Sequence, residues 1–168
     1  RKSILQQRRT LDPINHSDLS VAIQKKFIAS LPLNIMKKVG LYSPIDNEVD
    51  LDLIIGEIRK FNNEYSLPVV KPNNILELSI PNKDSKYTLN EFNILEPNNG
   101  KVLSPLKHNA IVIPSVGVDQ DGHRVGYGGG YYDRFLAELM KQQKRPLLIG
   151  LIFDFQIIDT LIGEDQDI

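Results

Sequence analysis

A chain of 168 residues with 41% hydrophobic and 24% charged residues has the length and composition of one globular domain, able to bury roughly two-thirds of its unfolded surface. A formal net charge of −1 gives no general attraction to nucleic acid or to an anionic membrane, so any anion site must be local. The absence of cysteine excludes disulfides, thiolate metal sites and cysteine nucleophiles, and it fits a reducing cytoplasm. No apolar run approaches the roughly 20 residues of a membrane span, and no signal peptide is evident. A start at Arg1 without methionine and a charged end at Asp165–Ile168 imply a single domain over 1–168 with both ends cut short.

Taken in chain order, Arg1–Leu11 reads as a basic helix with Arg1, Arg8 and Arg9 near one face, broken by Asp12-Pro13. Ser17 is placed to cap a second helix, where Leu19, Ile23, Phe27 and Leu31 form an apolar stripe. Lys38–Tyr42 reads as a strand. A third helix is expected over about 49–61, with Leu51, Ile54, Ile55, Ile58 and Phe61 facing the core. Leu67–Lys71 reads as another strand, and the alternation of Leu76, Leu78 and Ile80, followed by turn residues, Tyr87 and Leu89, predicts a hairpin or two edge strands. The apolar runs Ala110–Ile113 and Leu147–Phe153 read as strands covered on both faces, with a helix over about 131–143 between them. Tyr132, Phe135, Leu136, Leu139 and Met140 have the spacing of its buried side. Strands alternating with helices predict an α/β fold: a three-layer sandwich with a mostly parallel central sheet.

Six of the eleven glycines lie between Gly117 and Gly130, four of them in Gly126-Tyr127-Gly128-Gly129-Gly130. Ordering so many glycines is entropically costly, and it permits positive φ and close approach of backbone to a ligand. The segment follows a strand and feeds a helix, which places it where ligands bind in parallel sheets. Loop N–H groups and the positive end of the helix dipole would there make an anion site, with phosphate the expected anion. No Gly-Lys-Ser/Thr sequence is present, and Tyr131 stands where a dinucleotide fingerprint needs glycine, so neither familiar phosphate motif applies. Ser104-Pro105-Leu106-Lys107 is a chance Ser-x-x-Lys match. Asp133, in the first turn of the helix, would sit beside a polyphosphate through an intervening cation, and Mg²⁺ binds in this way. Arg124 is suited to hold a phosphate. His16, His108 and His123 are too scattered for a metal site and none is assigned.

Ile113–Asp119 followed by Gly122–Leu136, with Gly126-Tyr127-Gly128-Gly129-Gly130-Tyr131-Tyr132-Asp133 at its heart, resembles the signature of the 5-formyltetrahydrofolate cyclo-ligases. Arg8-Arg9-Thr10-Leu11, Glu48-Val49-Asp50, Ile94-Leu95-Glu96-Pro97 and Gln166-Asp167-Ile168 extend the likeness along nearly the whole chain. The resemblance implies conversion of 5-formyltetrahydrofolate and ATP into 5,10-methenyltetrahydrofolate, ADP and phosphate. In that reaction the formyl oxygen takes the γ-phosphoryl group, and N10 then closes the ring as phosphate leaves. It further implies ATP contacts at Arg1 and at Arg124, Val125, Gly126, Tyr127, Gly128, Gly129, Gly130, Tyr131 and Tyr132. Folate contacts are implied at Tyr42, Glu48 and Tyr127 to Tyr131, and Mg²⁺ ligands at Asp133 and Asp167. Arg124, Tyr127 and Asp133 are the expected catalytic residues. Asn109, Val118 and Leu51 depart from the family pattern, the last two with expected effects on the folate pocket. The partners expected are the reduced folate and ATP, bound by a cytoplasmic monomer without nucleic acid or membrane. A non-catalytic folate- or nucleotide-binding module on the same fold, and a sugar-phosphate isomerase, are the competing readings.

Overall fold

The computed structural model describes residues 1–159. Two helices, α1 (Lys2–Arg9) and α2 (Pro13–Ser30), lead into strand β1 (Lys38–Gly40), helix α3 (Asp52–Lys60) and strands β2 (Glu64–Lys71) and β3 (Ile75–Ile80). Strands β4 (Tyr87–Leu89), β5 (Leu95–Pro97), β6 (Lys101–Leu103) and β7 (Ala110–Ile113) follow. After β8 (Gly117–Asp119) and β9 (Arg124–Val125) come helix α4 (Tyr131–Met140) and strands β10 (Leu147–Gly150) and β11 (Ile157–Ile158). The main sheet has the order β10-β7-β1-β2-β3-β6. Pairs β10–β7, β7–β1 and β1–β2 are parallel, whereas β2–β3 and β3–β6 are antiparallel, so the sheet is mixed. None of the helices among the described residues is long and apolar enough to cross a membrane.

The period of two along β7 divides its side chains between two clusters. Ala110 and Val112 join Val39, Leu41, Phe27, Ile54 and Ile58, the cluster that contains α2 and α3. Ile111 and Ile113 join Leu78 and the α4 residues Leu136 and Leu139. Every residue of β7 is buried, as the apolar run predicts. The run at Leu147 behaves otherwise: β10 is the sheet edge, with Leu147 and Gly150 exposed.

Several expectations are corrected by local chemistry. Asp12, not Ser17, caps α2: its side chain accepts from the N–H groups of Ile14 and Asn15, both at 3.1 Å, and Pro13 supplies the preset φ of a first helical residue. The buried face of α2 is Ser20, Gln24 and Phe27, while Leu19 is exposed. The shift has a clear cause: the Gln24 side-chain oxygen accepts from Leu53 N–H at 2.9 Å and Ser20 Oγ from Asp50 N–H at 2.6 Å. Two polar residues of α2 thus satisfy the donors at the start of α3, a need the apolar pattern does not reveal. Helix α3 begins at Asp52, after Leu51, and Phe61 lies past its end, exposed. Met140 is likewise exposed at the end of α4. The expected hairpin also joins different partners, since β2 turns into β3 through Pro72–Asn74, with Asn73 and Asn74 at positive φ, while β4 pairs with β5.

Two glycines test this packing in opposite directions. A Cβ on Gly40 would lie 3.1 Å from two Ile111 carbons and 3.3 Å from Leu78, inside the α4-side cluster, whereas one on Gly56 in α3 meets nothing within 4 Å. Urea unfolding should find Gly40→Ala destabilised by about 1–3 kcal/mol and Gly56→Ala stabilised by about 0.5–1 kcal/mol.

Candidate active site

Between the end of β7 and the start of α4 the chain does not run directly into the glycines. It first turns through β8 and β9, which pair antiparallel with each other, while β11 pairs parallel to β8. The excursion returns the chain to the carboxyl end of β7, where Pro114 lines the same cleft as the glycine loop. That cleft, about 340 Å³, is walled by Tyr42 and Glu48 on one side and by Arg124 and residues 126–133 on another. The turn between β8 and β9 brings Asp119, Asp121 and His123 together, but the Asp119 carboxylate serves the turn itself. It accepts from the N–H groups of Asp121 and His123 at 3.0 and 2.9 Å and meets the His123 ring at 3.0 Å.

Gly128 (φ +97°) and Gly130 (φ +68°) need the left-handed conformation that a side chain disfavours. Gly130 is the N-cap of α4, and its carbonyl accepts from Arg134 N–H at 3.1 Å. A Cβ at Gly128 would stand 3.0 Å from the Arg1 guanidinium, which places Arg1 against the loop. Among the described residues, no hydrogen bond is made by the N–H groups of Gly128, Gly129 or Gly130.

Arg124 and Asp133 form an ion pair at the cleft wall, with the arginine buried and the carboxylate partly exposed. Arg124 Nη1 also donates to the Pro114 carbonyl at 3.5 Å, and its guanidinium lies 5.8 Å from the centre of the Tyr132 ring. Its Nε is buried without an acceptor among the described residues. A buried donor without an acceptor carries a desolvation cost. Burial raises the Tyr132 hydroxyl above its ordinary range, so it stays neutral.

The other half of the cleft is organised by Glu48, which is 5% exposed. The turn that carries it places Asp46 and Asn47 at positive φ, and Ile45 N–H donates to Glu48 Oε2 at 3.1 Å. Tyr127 Oη donates to Glu48 Oε1 at 3.2 Å and accepts from Arg8 Nη2. Burial pushes the Glu48 carboxyl up to about 7, opposed first by the charge of Arg8. Burial and the neighbouring Glu48 likewise raise the Tyr127 hydroxyl, which remains a neutral donor. Tyr42 is buried and spends its hydroxyl on the Val49 carbonyl at 2.8 Å, so only its ring is left to line the cleft.

Residues 1–168 match the 5-formyltetrahydrofolate cyclo-ligase family. The chain belongs to that family. A 5-formyltetrahydrofolate cyclo-ligase of Mycoplasma pneumoniae is 36% identical over 162 residues, 96% of this chain and 87% of the relative. The Escherichia coli K12 enzyme of the same name is 28% identical over 170 residues, 98% of this chain and 92% of the relative. The NMR structure of Aquifex aeolicus 5,10-methenyltetrahydrofolate synthetase matches with a TM-score of 0.82 at 33% identity, covering 99% of this chain and 82% of the other.

The structure gathers most of the residues named from the sequence. Tyr42, Glu48, Arg124, Gly126 to Gly130, Tyr131, Tyr132 and Asp133 all line the cleft, while Val125 is buried beside it on β9 and Arg1 lies against the loop. Asp167 lies outside the described residues. Leu51 and Val118 do not line the cleft: Leu51 is buried among the α2 and α3 side chains, and Val118 lies in β8 between β9 and β11. Arg8 was grouped with a basic helix face, yet it is 1% exposed and holds both Glu48 and Tyr127. No local pattern separates it from Arg1 and Arg9, which are both exposed. The walls contributed by Pro68, Val70, Phe92 and Ile94 were also missed, because a strand's alternation shows two faces without saying which one meets a ligand.

The Glu48 environment has a measurable consequence. Its folded pKa of about 7 lies above the ordinary 4.5, so the native state binds more protons across that window. Stability therefore falls as pH rises from 4.5 to 7, by up to about 3 kcal/mol from this group. Urea unfolding at acid and mildly alkaline pH should show that loss in the wild type, and Glu48→Gln should remove most of it.

Proposed function

We propose that this chain catalyses the ATP-dependent cyclisation of 5-formyltetrahydrofolate to 5,10-methenyltetrahydrofolate, releasing ADP and phosphate. The observation that carries the reading is one cleft lined by two unlike polar groupings. In one a buried carboxylate faces a tyrosine, and in the other an arginine–aspartate pair flanks a glycine loop. In this reading Glu48 accepts hydrogen bonds from N–H groups of the pterin, and the Tyr42 ring packs beside it. Arg1, Arg124 and the 125–132 segment hold the ATP phosphates, with loop N–H groups and the positive end of the α4 dipole facing negative charge.

Asp133 fits a Mg²⁺ ligand, since it is a partly exposed carboxylate at the cleft wall, and Asp167 is the second proposed ligand. When bound, Mg²⁺ would neutralise charge on the phosphate oxygens during transfer. The chain's own part is positioning. The formyl oxygen is brought in line with the γ-phosphorus and forms the new P–O bond as the bond to ADP breaks. An amide-like oxygen leaves poorly, but as phosphate it departs readily when N10 attacks the formyl carbon and closes the ring. Arg124, with an unmatched donor beside Asp133, would stabilise charge as it shifts between the phosphates. No side chain needs to form a covalent bond.

We also infer the three-layer order, because alternate β7 side chains enter one cluster with α2 and α3 and another with α4. A monomer suffices for this reading.

The test is appearance of the methenyl chromophore when purified protein is mixed with 5-formyltetrahydrofolate, ATP and Mg²⁺. Product should require all three, and chelation of Mg²⁺ should stop it. Asp133→Asn should weaken Mg²⁺-ATP binding at least tenfold, about 1.4 kcal/mol. Tight ligand binding without product or ATP hydrolysis would instead establish a binding module.

A further inference from the structure

Arg8 is the most deeply buried cation of α1, and no ligand has been assigned to it. Its Nε donates to the Asp46 carbonyl at 2.9 Å, Nη1 to the Ser115 carbonyl at 3.3 Å, and Nη2 to Tyr127 Oη. The same Nη1 stands 3.8 Å from Glu48 Oε1, and the guanidinium lies 5.5 Å from the centre of the Tyr127 ring. One planar group thereby ties together α1, the 45–48 turn, the connection after β7 and the glycine loop. Arg8 does not line the cleft, whereas Glu48 and Tyr127 both do. We propose that Arg8 is a positioning residue for the folate end of the cleft, fixing the Glu48 carboxylate and the Tyr127 hydroxyl without reaching the ligand itself. This deepens the folate reading above and rests on it.

The geometry gives Arg8 two effects. First, with an Arg8 N–H directed at its oxygen, the Tyr127 hydroxyl turns its own hydrogen to Glu48 Oε1. Glu48 Oε2 is meanwhile held by the Ile45 N–H, so the carboxylate plane is set from both sides. Secondly, among the described residues the guanidinium is the cation whose charge acts on the Glu48 carboxylate. Asp46 opposes it from the same turn, the neutral hydroxyls of Tyr42, Tyr127 and Tyr132 surround the carboxylate, and from α2 the His16 ring meets the Glu48 carbonyl at 2.9 Å. Burial favours the protonated acid, which would present a donor to pterin N–H donors, and the positive charge of Arg8 resists that change. A lysine supplies the charge but not the fork that spans three acceptors.

Steady-state kinetics of wild type, Arg8→Met and Arg8→Lys from about pH 6 to 9 would decide the matter. Arg8→Met should raise the KM for 5-formyltetrahydrofolate about tenfold near neutral pH, the equivalent of one pKa unit at Glu48. It should also move the rising limb of kcat/KM to higher pH and leave the KM for ATP within about twofold, and Arg8→Lys should recover part of the loss. Equal rises in both KM values, or an unmoved pH limb, would overturn the proposal. Because Arg8→Met leaves the Asp46 carbonyl without its donor and is at risk of misfolding, ¹³C NMR of the Glu48 carboxyl in ligand-free wild type, Arg8→Lys and Arg8→Gln provides an independent reading. A titration near the wild-type value in Arg8→Lys, with an upward shift in the charge-free Arg8→Gln, supports the proposal, and an unchanged titration in Arg8→Gln defeats it. A wild type that forms no methenyl product would overturn the folate reading itself, and the carboxyl titration alone would then decide whether Arg8 governs Glu48.

Discussion

The ion pair between Arg124 and Asp133 closes the glycine loop into a ring: it joins the strand before the loop to the first turn of the helix after it. Between those anchors lie five residues, four of them glycine, which unassisted would sample a wide range of conformations. The loop is placed reproducibly because both ends are fixed by elements with their own cores. Val125 packs with Val116 in the small β8–β9 cluster, and Leu136 and Leu139 pack α4 against the main sheet. Flexibility is thereby confined to the glycines, which are the residues that must approach a ligand.

The β8–β9 excursion explains how one chain supplies both a strand end and a helix start to a single cleft. A direct passage from β7 into α4 would leave the loop beside one strand only. By turning out and back, the chain brings Arg124 next to Pro114, at the carboxyl end of β7, and lets Gln156 bridge the Ser115 and Val116 carbonyls at 2.9 Å each. Those bonds satisfy buried backbone where the main sheet has ended. The mixed character of the sheet has a similar logic. Strands β2 and β3 extend beyond the parallel part and carry Pro68, Val70 and Leu76 into the cleft wall.

The parts legible in the sequence were those where one physical demand dominates. Ala110–Ile113 reads as a covered strand, and the crowding of glycine before Tyr131 reads as a backbone that approaches a ligand closely. Polar residues that act across the fold were hidden. Ser20 and Gln24 break the apolar stripe of α2 because they serve α3, and no local pattern announces a donor 29 or 30 residues away. The burial of Arg8 was hidden for the same reason. Its charge places it with Arg1 and Arg9 near one face of a basic helix, while its actual surroundings come from three segments distant in sequence. The apolar cleft walls were visible as strands, but which face would meet a ligand depends on the sheet's layering.

Two buried arginines of the site, Arg8 and Arg124, differ in a way that assigns them different work. Each is paired with an acid, and each lies beside a tyrosine ring, Tyr127 for one and Tyr132 for the other. Arg8 has three hydrogen-bond acceptors spread around its fork and sits behind the cleft wall, so moving it would break contacts to three segments at once. Arg124 lines the cleft, keeps one Nε without an acceptor among the described residues, and pairs with a carboxylate that is itself partly exposed. A guanidinium with an unmet donor gains most from an arriving anion, and a carboxylate at the rim can turn to a cation with little desolvation. An arginine whose three nitrogens are each engaged gains little by moving. The same residue type therefore serves as fixed frame at the Glu48 end of the cleft and as an adjustable contact at the glycine end, and burial alone does not distinguish them. What separates the two is whether every guanidinium nitrogen already has an acceptor.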